Sequence, residues 1–147
     1  MFRYPNRLAH RTPVWVENAA TYHIRVSLDL DHAPILTEPE IGTALLDSAR
    51  FYHEREMWNC RLLLLMPDHI HALLAFPYDK AMGTIIAAWK GYQAKRLGVC
   101  WQGNYFDHRI RDRNELDEKA AYIRLNPVRK NLCAQEDAWP WVLSCAS

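Results

Sequence analysis

Long apolar runs, closely paired cysteines and a strong charge of either sign are all missing from this chain. The stretch Leu62 to Met66 falls far short of the roughly 20 apolar residues that a membrane helix needs. The start, Met1-Phe2-Arg3-Tyr4-Pro5-Asn6-Arg7, lacks the apolar middle of a signal peptide. Both absences predict a cytoplasmic protein with no membrane partner. Cys60, Cys100, Cys133 and Cys145 form no C-x-x-C pair, which argues against a structural zinc site and requires no disulfide, so buried thiols are expected. No internal repeat or low-complexity segment is present. The net charge of +1 does not by itself announce a polyanionic partner.

What is there is the composition of a compact domain. Half of the 147 residues are hydrophobic, enough for one domain over 1–147 with its own core, in which 128–147 reads as a C-terminal tail. Charge is unevenly spread: residues 86–130 carry ten basic and five acidic side chains, while 1–59 and 131–147 are each net −2. A phosphate backbone would be drawn to the basic segment. A solvated helix face rich in Lys and Arg is the ordinary alternative and is as common on charge alone.

Tyr22, Ile24, Val26 and Leu28 alternate with polar neighbours, which predicts a half-buried strand over Thr21 to Leu28. Asp31 to Pro39 reads as a loop, and Ile41, Leu45, Ala49 and Tyr52 then recur at helical spacing up to about Glu56. Trp58 to Met66 is a second strand, made central by the unbroken Leu62-Leu63-Leu64-Leu65. Pro67-Asp68 turns it into an antiparallel partner, His69 to Phe76. A helix from about Lys80 to Leu97 keeps Met82, Ile85, Ile86, Trp89 and Gln93 on one stripe and stops at Gly98. Val99 to Ile110 reads as strand or extended loop. Asn114 is the expected cap of a third helix, Glu115 to about Asn126, ended by Pro127, with Asn131 as a left-handed stop beyond it. Trp139 and Trp141 are expected to anchor the tail. This order predicts an α+β fold, a ferredoxin-like antiparallel sheet with helices on one face and an extra C-terminal helix.

The third strand opens on His69-Ile70-His71. Side chains alternate along a strand, so both imidazoles point to one face and are spaced to grip one divalent ion. Tyr122 and Asn126 stand one helical turn apart on a common face, so a nucleophile and a possible third ligand travel together. If the first two helices cover the Ile70 face, the third helix brings Tyr122 over the histidines. The pattern outlines metal-assisted attack by a tyrosine. Singly, each residue has a blander reading: a strand histidine is more often a hydrogen-bonded core or surface group, and a helical tyrosine more often a half-buried one.

Four segments carry a family resemblance that runs from Tyr22 to about Ser144: Tyr22-His23-Ile24-Arg25-Val26, Met66-Pro67-Asp68-His69-Ile70-His71, Trp101-Gln102-Gly103-Asn104-Tyr105-Phe106-Asp107-His108-Arg109-Ile110-Arg111, and Tyr122-Ile123-Arg124-Leu125-Asn126-Pro127-Val128-Arg129. The chain resembles the IS200-like single-tyrosine HUH transposases, most closely the REP-associated tyrosine transposases. The last two segments are the more specific. The resemblance implies that His69 and His71 hold a divalent metal, that Tyr122 is the nucleophile, and that Asn126 is the third protein ligand where relatives often carry glutamine. It implies single-stranded or hairpin DNA as substrate and a 5′-phosphotyrosine with a free 3′-hydroxyl as products.

A cation held by imidazoles and an amide would polarise a phosphodiester, and Mg²⁺ or Mn²⁺ fits that role better than zinc. For DNA contact, Arg109, Arg111 and Arg124 flank the expected site, and Lys90, Lys95 and Arg96 interleave with Trp89, Tyr92, Trp101, Tyr105 and Phe106. Trp89 sits on the apolar stripe of its helix and reads first as core. His23, His53 and His108 read as structural or surface groups. The alternatives are a catalytically silent nucleic-acid-binding relative and a metal phosphohydrolase that uses water. A monomer is expected, with a dimer that shares the tyrosine in trans as the other arrangement.

Overall fold

The computed structural model describes residues 7–8, 12–29 and 34–145. Residues 1–6, read above for a signal peptide, and 31–33 of the expected loop lie outside the described residues. The strands are β1 (Arg7–Leu8), β2 (Thr21–Ser27), β3 (Asn59–Leu65), β4 (His69–Ala75), β5 (Phe106–Arg109) and β6 (Val142–Cys145), and the helices α1 (Pro39–Glu54), α2 (Met82–Leu97) and α3 (Arg113–Arg129). They build a six-stranded sheet in the order β1-β6-β3-β4-β2-β5, antiparallel except for the β1–β6 pair. The α+β, ferredoxin-like arrangement is as expected.

The pleat sorts the strand residues into two cores. Ile24, Val26, Leu63, Leu65, Ile70, Ala72 and Leu74 point to one face, where they bury against Leu45 and Ala49 of α1 and Ile85, Ile86 and Trp89 of α2. Leu62, Leu64 and Leu73 point to the other and meet Leu116 and Ile123 of α3. Each of these fully buried leucines contributes about 1.5–3 kcal/mol, so β3, flanked by β6 and β4, is the keel of the sheet. Trp89 is core, as its stripe predicts. Of the cysteines, Cys60 is buried, but Cys100 and Cys133 are only half-buried free thiols.

Three boundaries differ from the sequence reading. Asp112, not Asn114, caps α3, its carboxylate accepting the Glu115 N–H at 2.9 Å. The helix does not end at Pro127 but runs through it to Arg129. Burial of Asn126 and Pro127 outweighs the missing N–H, and the Lys130 N–H still reaches the Asn126 carbonyl at 3.1 Å; Asn131, at φ 60°, is the left-handed stop. The C-terminal stretch is more than a tail, because Val142–Cys145 enters the sheet between β1 and β3. Two tryptophans fasten it as expected. Trp139 Nε1 donates to the Leu65 carbonyl at 2.9 Å, and the Trp141 ring lies so close to Gly42 of α1 that a Cβ there would sit 2.6 Å from it. Among the described residues no helix is long and apolar enough to cross a membrane.

Candidate active site

On the α3 side of the sheet, the half formed by β4, β2 and β5 is polar where the β3 half is apolar. His69 and His71 of β4 stand opposite Ser27 and Arg25 of β2, and His23 of β2 stands opposite His108 of β5. The Nε2 atoms of His69 and His71 face each other at 3.2 Å. Their other nitrogens are held from behind: His69 Nδ1 lies 2.7 Å from the Asp68 carboxylate, and His71 Nδ1 lies 3.0 Å from His23 Nε2. The turn that carries Asp68 is itself pinned, since the Leu28 N–H bonds the Asp68 carbonyl at 2.8 Å and the Leu36 N–H the Pro67 carbonyl at 2.9 Å.

Burial keeps His71 and the His23 ring behind it neutral. Burial, then the neighbouring charges of His69, His23, Arg25 and Arg129, lower His71 to about 3; burial, then Lys119, Arg25 and His108, lower His23 to about 4. The Asp68 carboxylate, an acceptor only, holds a proton on His69 Nδ1, so the neutral ring presents Nε2 as a lone pair. When His71 donates from Nδ1 to His23, its Nε2 is a second lone pair facing the first. Two lone pairs at that distance repel unless a cation lies between them, and donors bonded at about 2.1 Å and right angles to one ion stand about 3 Å apart. The pair therefore fits a divalent metal. Among the described residues no third His, Cys, Asp or Glu joins it. Asn126 is buried on α3, one turn beyond Tyr122.

Tyr122 comes from α3, and the helix is held at both ends. At its start the Glu115 carboxylate accepts the Arg111 N–H at 2.7 Å and bonds His108 Nε2 at 2.9 Å, which together lower Glu115 to about 2 and tie α3 to β5. Leu116 and Ile123 lock its apolar side onto β3 and β4. The Tyr122 ring then stands edge-on to His71 with centroids 6.2 Å apart, and it is 47% exposed, so a substrate has access to it. The Arg129 guanidinium lies 4.2 Å over the same ring and donates to the Tyr122 carbonyl at 3.0 Å.

The structure thus brings His69, His71 and Tyr122 together within one chain. It does not bring the expected cations to them. Lys90, Lys95 and Arg96 belong to α2, on the opposite face of the sheet; Lys90 donates to the Gln102 carbonyl at 3.0 Å, and Arg96 lies over Tyr92. Arg124 lines a small pocket with Glu136 and Asp137, an acidic setting that disfavours phosphate. Arg111 is engaged with Glu115. Arg109, exposed at the end of the edge strand β5, lines a cleft with Trp15, Tyr22, Tyr78 and Lys80.

Three residues at the site were missed: His23, Arg25 and Arg129. A signal for the first two existed. With Tyr22, Ile24 and Val26 on the core face, His23 and Arg25 had to share the face of His69 and His71 if the two strands were neighbours.

Comparison with known proteins follows the same lines. No protein-family model matches the chain. A Haemophilus influenzae protein provisionally named a REP-associated tyrosine transposase is 27% identical, over 54% of this chain and 54% of its own length. An Escherichia coli K12 REP-associated tyrosine transposase is 23% identical, over 53% of this chain and 49% of its length. The match thus spans about half the length of the curated relatives. The solved structure of a REP-associated tyrosine transposase bound to a REP hairpin superposes with a TM-score of 0.73, 19% identity, and coverage of 92% of this chain and 82% of that one. The chain resembles the REP-associated tyrosine transposases. A Deinococcus radiodurans R1 crystal structure, provisionally described as a transposase, shares the fold at a TM-score of 0.55, 19% identity, and coverage of 84% of this chain and 96% of that one.

Proposed function

We propose that this chain is a metal-dependent tyrosine transposase that cuts and rejoins single-stranded or hairpin DNA through Tyr122. The observation that carries the reading is the edge-on approach of the Tyr122 ring to His71, 6.2 Å between centroids, where the Nε2 atoms of His69 and His71 face each other at 3.2 Å. The names of the relatives, and the REP hairpin bound to the structural neighbour, support DNA of that class as the substrate.

His69 and His71 would hold Mg²⁺ or Mn²⁺ through Nε2, with Asn126 as the further protein ligand. The ion supplies charge stabilisation for the phosphoryl oxygens. A site with few protein ligands leaves room for water and substrate oxygens, which suits these two ions better than a closed zinc site. Asp68 and His23 orient the two rings from behind. The Tyr122 oxygen bonds to phosphorus as the bond to the 3′ oxygen breaks; the phenol proton leaves and the 3′ oxygen gains one. The energy of the phosphodiester is kept in the protein–DNA bond, which allows rejoining. Because Tyr122 meets the histidines of its own chain, the site is complete in one copy and a monomer suffices.

Incubation of labelled hairpin DNA with Mn²⁺, read on a denaturing gel, tests this. A protein-linked band is expected with the wild type and none with Tyr122→Phe or His71→Ala. Cleavage that survives Tyr122→Phe would defeat the proposal in favour of attack by water.

A further inference from the structure

Two guanidinium groups beside the histidine pair have no carboxylate partner among the described residues. Arg25 projects from β2 directly opposite His71, is exposed, and lies 5.5 Å over the ring of Phe106. Arg129 closes α3 and lies 4.2 Å over the ring of Tyr122. The other arginines at the start of α3 are engaged, Arg111 with Glu115 and Arg113 with Asp117. Arg55 and Arg96 also lie over exposed rings, but only Arg25 and Arg129 among these arginines do so beside the histidine pair, over Phe106 and Tyr122, and both charges reach His71.

We propose that Arg25 and Arg129 form the clamp for the phosphodiester that Tyr122 attacks, gripping its non-bridging oxygens from two sides of the histidine pair. This rests on the strand-transfer reading above and deepens it. A cation over an exposed ring is weakly held, whereas a guanidinium on a phosphate makes two charge-assisted hydrogen bonds, so an entering phosphodiester displaces the aromatic contact. Arg129 has a second duty. Its bond to the Tyr122 carbonyl keeps it at the nucleophile, so the group that binds the phosphate also fixes how that phosphate meets the phenol oxygen. Arg129 is in this sense a catalytic residue, and Arg25 a binding one.

The test starts from the cleavage position mapped in the wild-type adduct. In a Tyr122→Phe background, which keeps the ring under Arg129 and prevents turnover, a hairpin oligonucleotide with an intact phosphodiester at that position should bind about tenfold more tightly than one carrying a single uncharged methylphosphonate there. Adding Arg25→Gln and Arg129→Gln should reduce that ratio to about twofold or less. An unchanged ratio overturns the clamp. With Tyr122 intact, Arg129→Gln should slow adduct formation at saturating DNA by about 100-fold, and Arg129→Lys should recover part of the loss. A rate close to that of the wild type in Arg129→Gln also overturns it. If the wild type forms no adduct, the strand-transfer reading fails and the clamp with it; an adduct formed by the arginine variants as fast as by the wild type defeats the clamp alone.

Discussion

His23 Nε2 lies 3.0 Å from His71 Nδ1, the two rings stacked at 5.2 Å between centroids on adjacent strands, 48 positions apart in sequence. This contact decides which nitrogen of His71 is free for a ligand. With Nδ1 occupied by His23, Nε2 is the nitrogen that turns to His69.

The first prediction concerns metal affinity. His23→Leu removes the partner of His71 and should weaken Mn²⁺ binding by about 10- to 100-fold, while His23→Gln, with a polar atom near the position of Nε2, should retain most of it. Isothermal titration of the DNA-free protein measures both. Equal affinity in His23→Leu and the wild type would show that the contact does not orient the ligand.

The second concerns pH. His23 and His71 have folded values lowered to about 4 and about 3, against 6.5 for an unfolded histidine. Below 6.5 the unfolded chain binds more protons than the folded one, so stability is full above that pH and declines as pH falls toward 4 and then 3. Urea midpoints of the metal-free protein should therefore drop between pH 7.5 and 5, and less steeply in His23→Gln. A midpoint flat across that window would contradict neutral burial of the pair.

The third is a packing prediction. A Cβ on Gly42 would sit 2.6 Å from the Trp141 ring and 3.1 Å from the Leu36 carbonyl, so Gly42→Ala must push back the tryptophan that fastens β6. A net loss of about 1–3 kcal/mol is expected from denaturant unfolding, where a helical Gly→Ala change at an open position ordinarily gains about 0.4–1 kcal/mol. A stabilised variant would mean that Trp141 moves freely.

The fourth separates the two faces of the sheet. Lys95→Gln and Arg96→Gln alter α2, behind the sheet, and should leave adduct formation within about twofold of the wild type, consistent with surface substitutions away from the chemistry. A tenfold loss would mean that the DNA path wraps onto that helix.

The fold and the core of the site were legible because they rest on local periodicity. The alternation around Ile70 set His69 and His71 on one face, the Pro67-Asp68 turn fixed the hairpin, and the spacing of the helices put α3 on the side left open. What was not legible depends on long-range pairing. The strand β6 is four residues that gain their identity from β3, more than half the chain away, and from β1, nearly a whole chain away. His23 and Arg25 became site residues only once β2 was seen to pair with β4. Arg129 was hidden by a sound local rule, that a helix stops before proline; burial of Pro127 overrode it, and the extra turn is what carries Arg129 back over Tyr122.

Peptide mass spectrometry of the protein after incubation with hairpin DNA and Mn²⁺ tests the central claim most directly. The account predicts a nucleotide joined through its 5′ phosphate to the peptide that contains Tyr122. Cleaved DNA bearing a free 5′ phosphate, with that peptide unmodified, would contradict it.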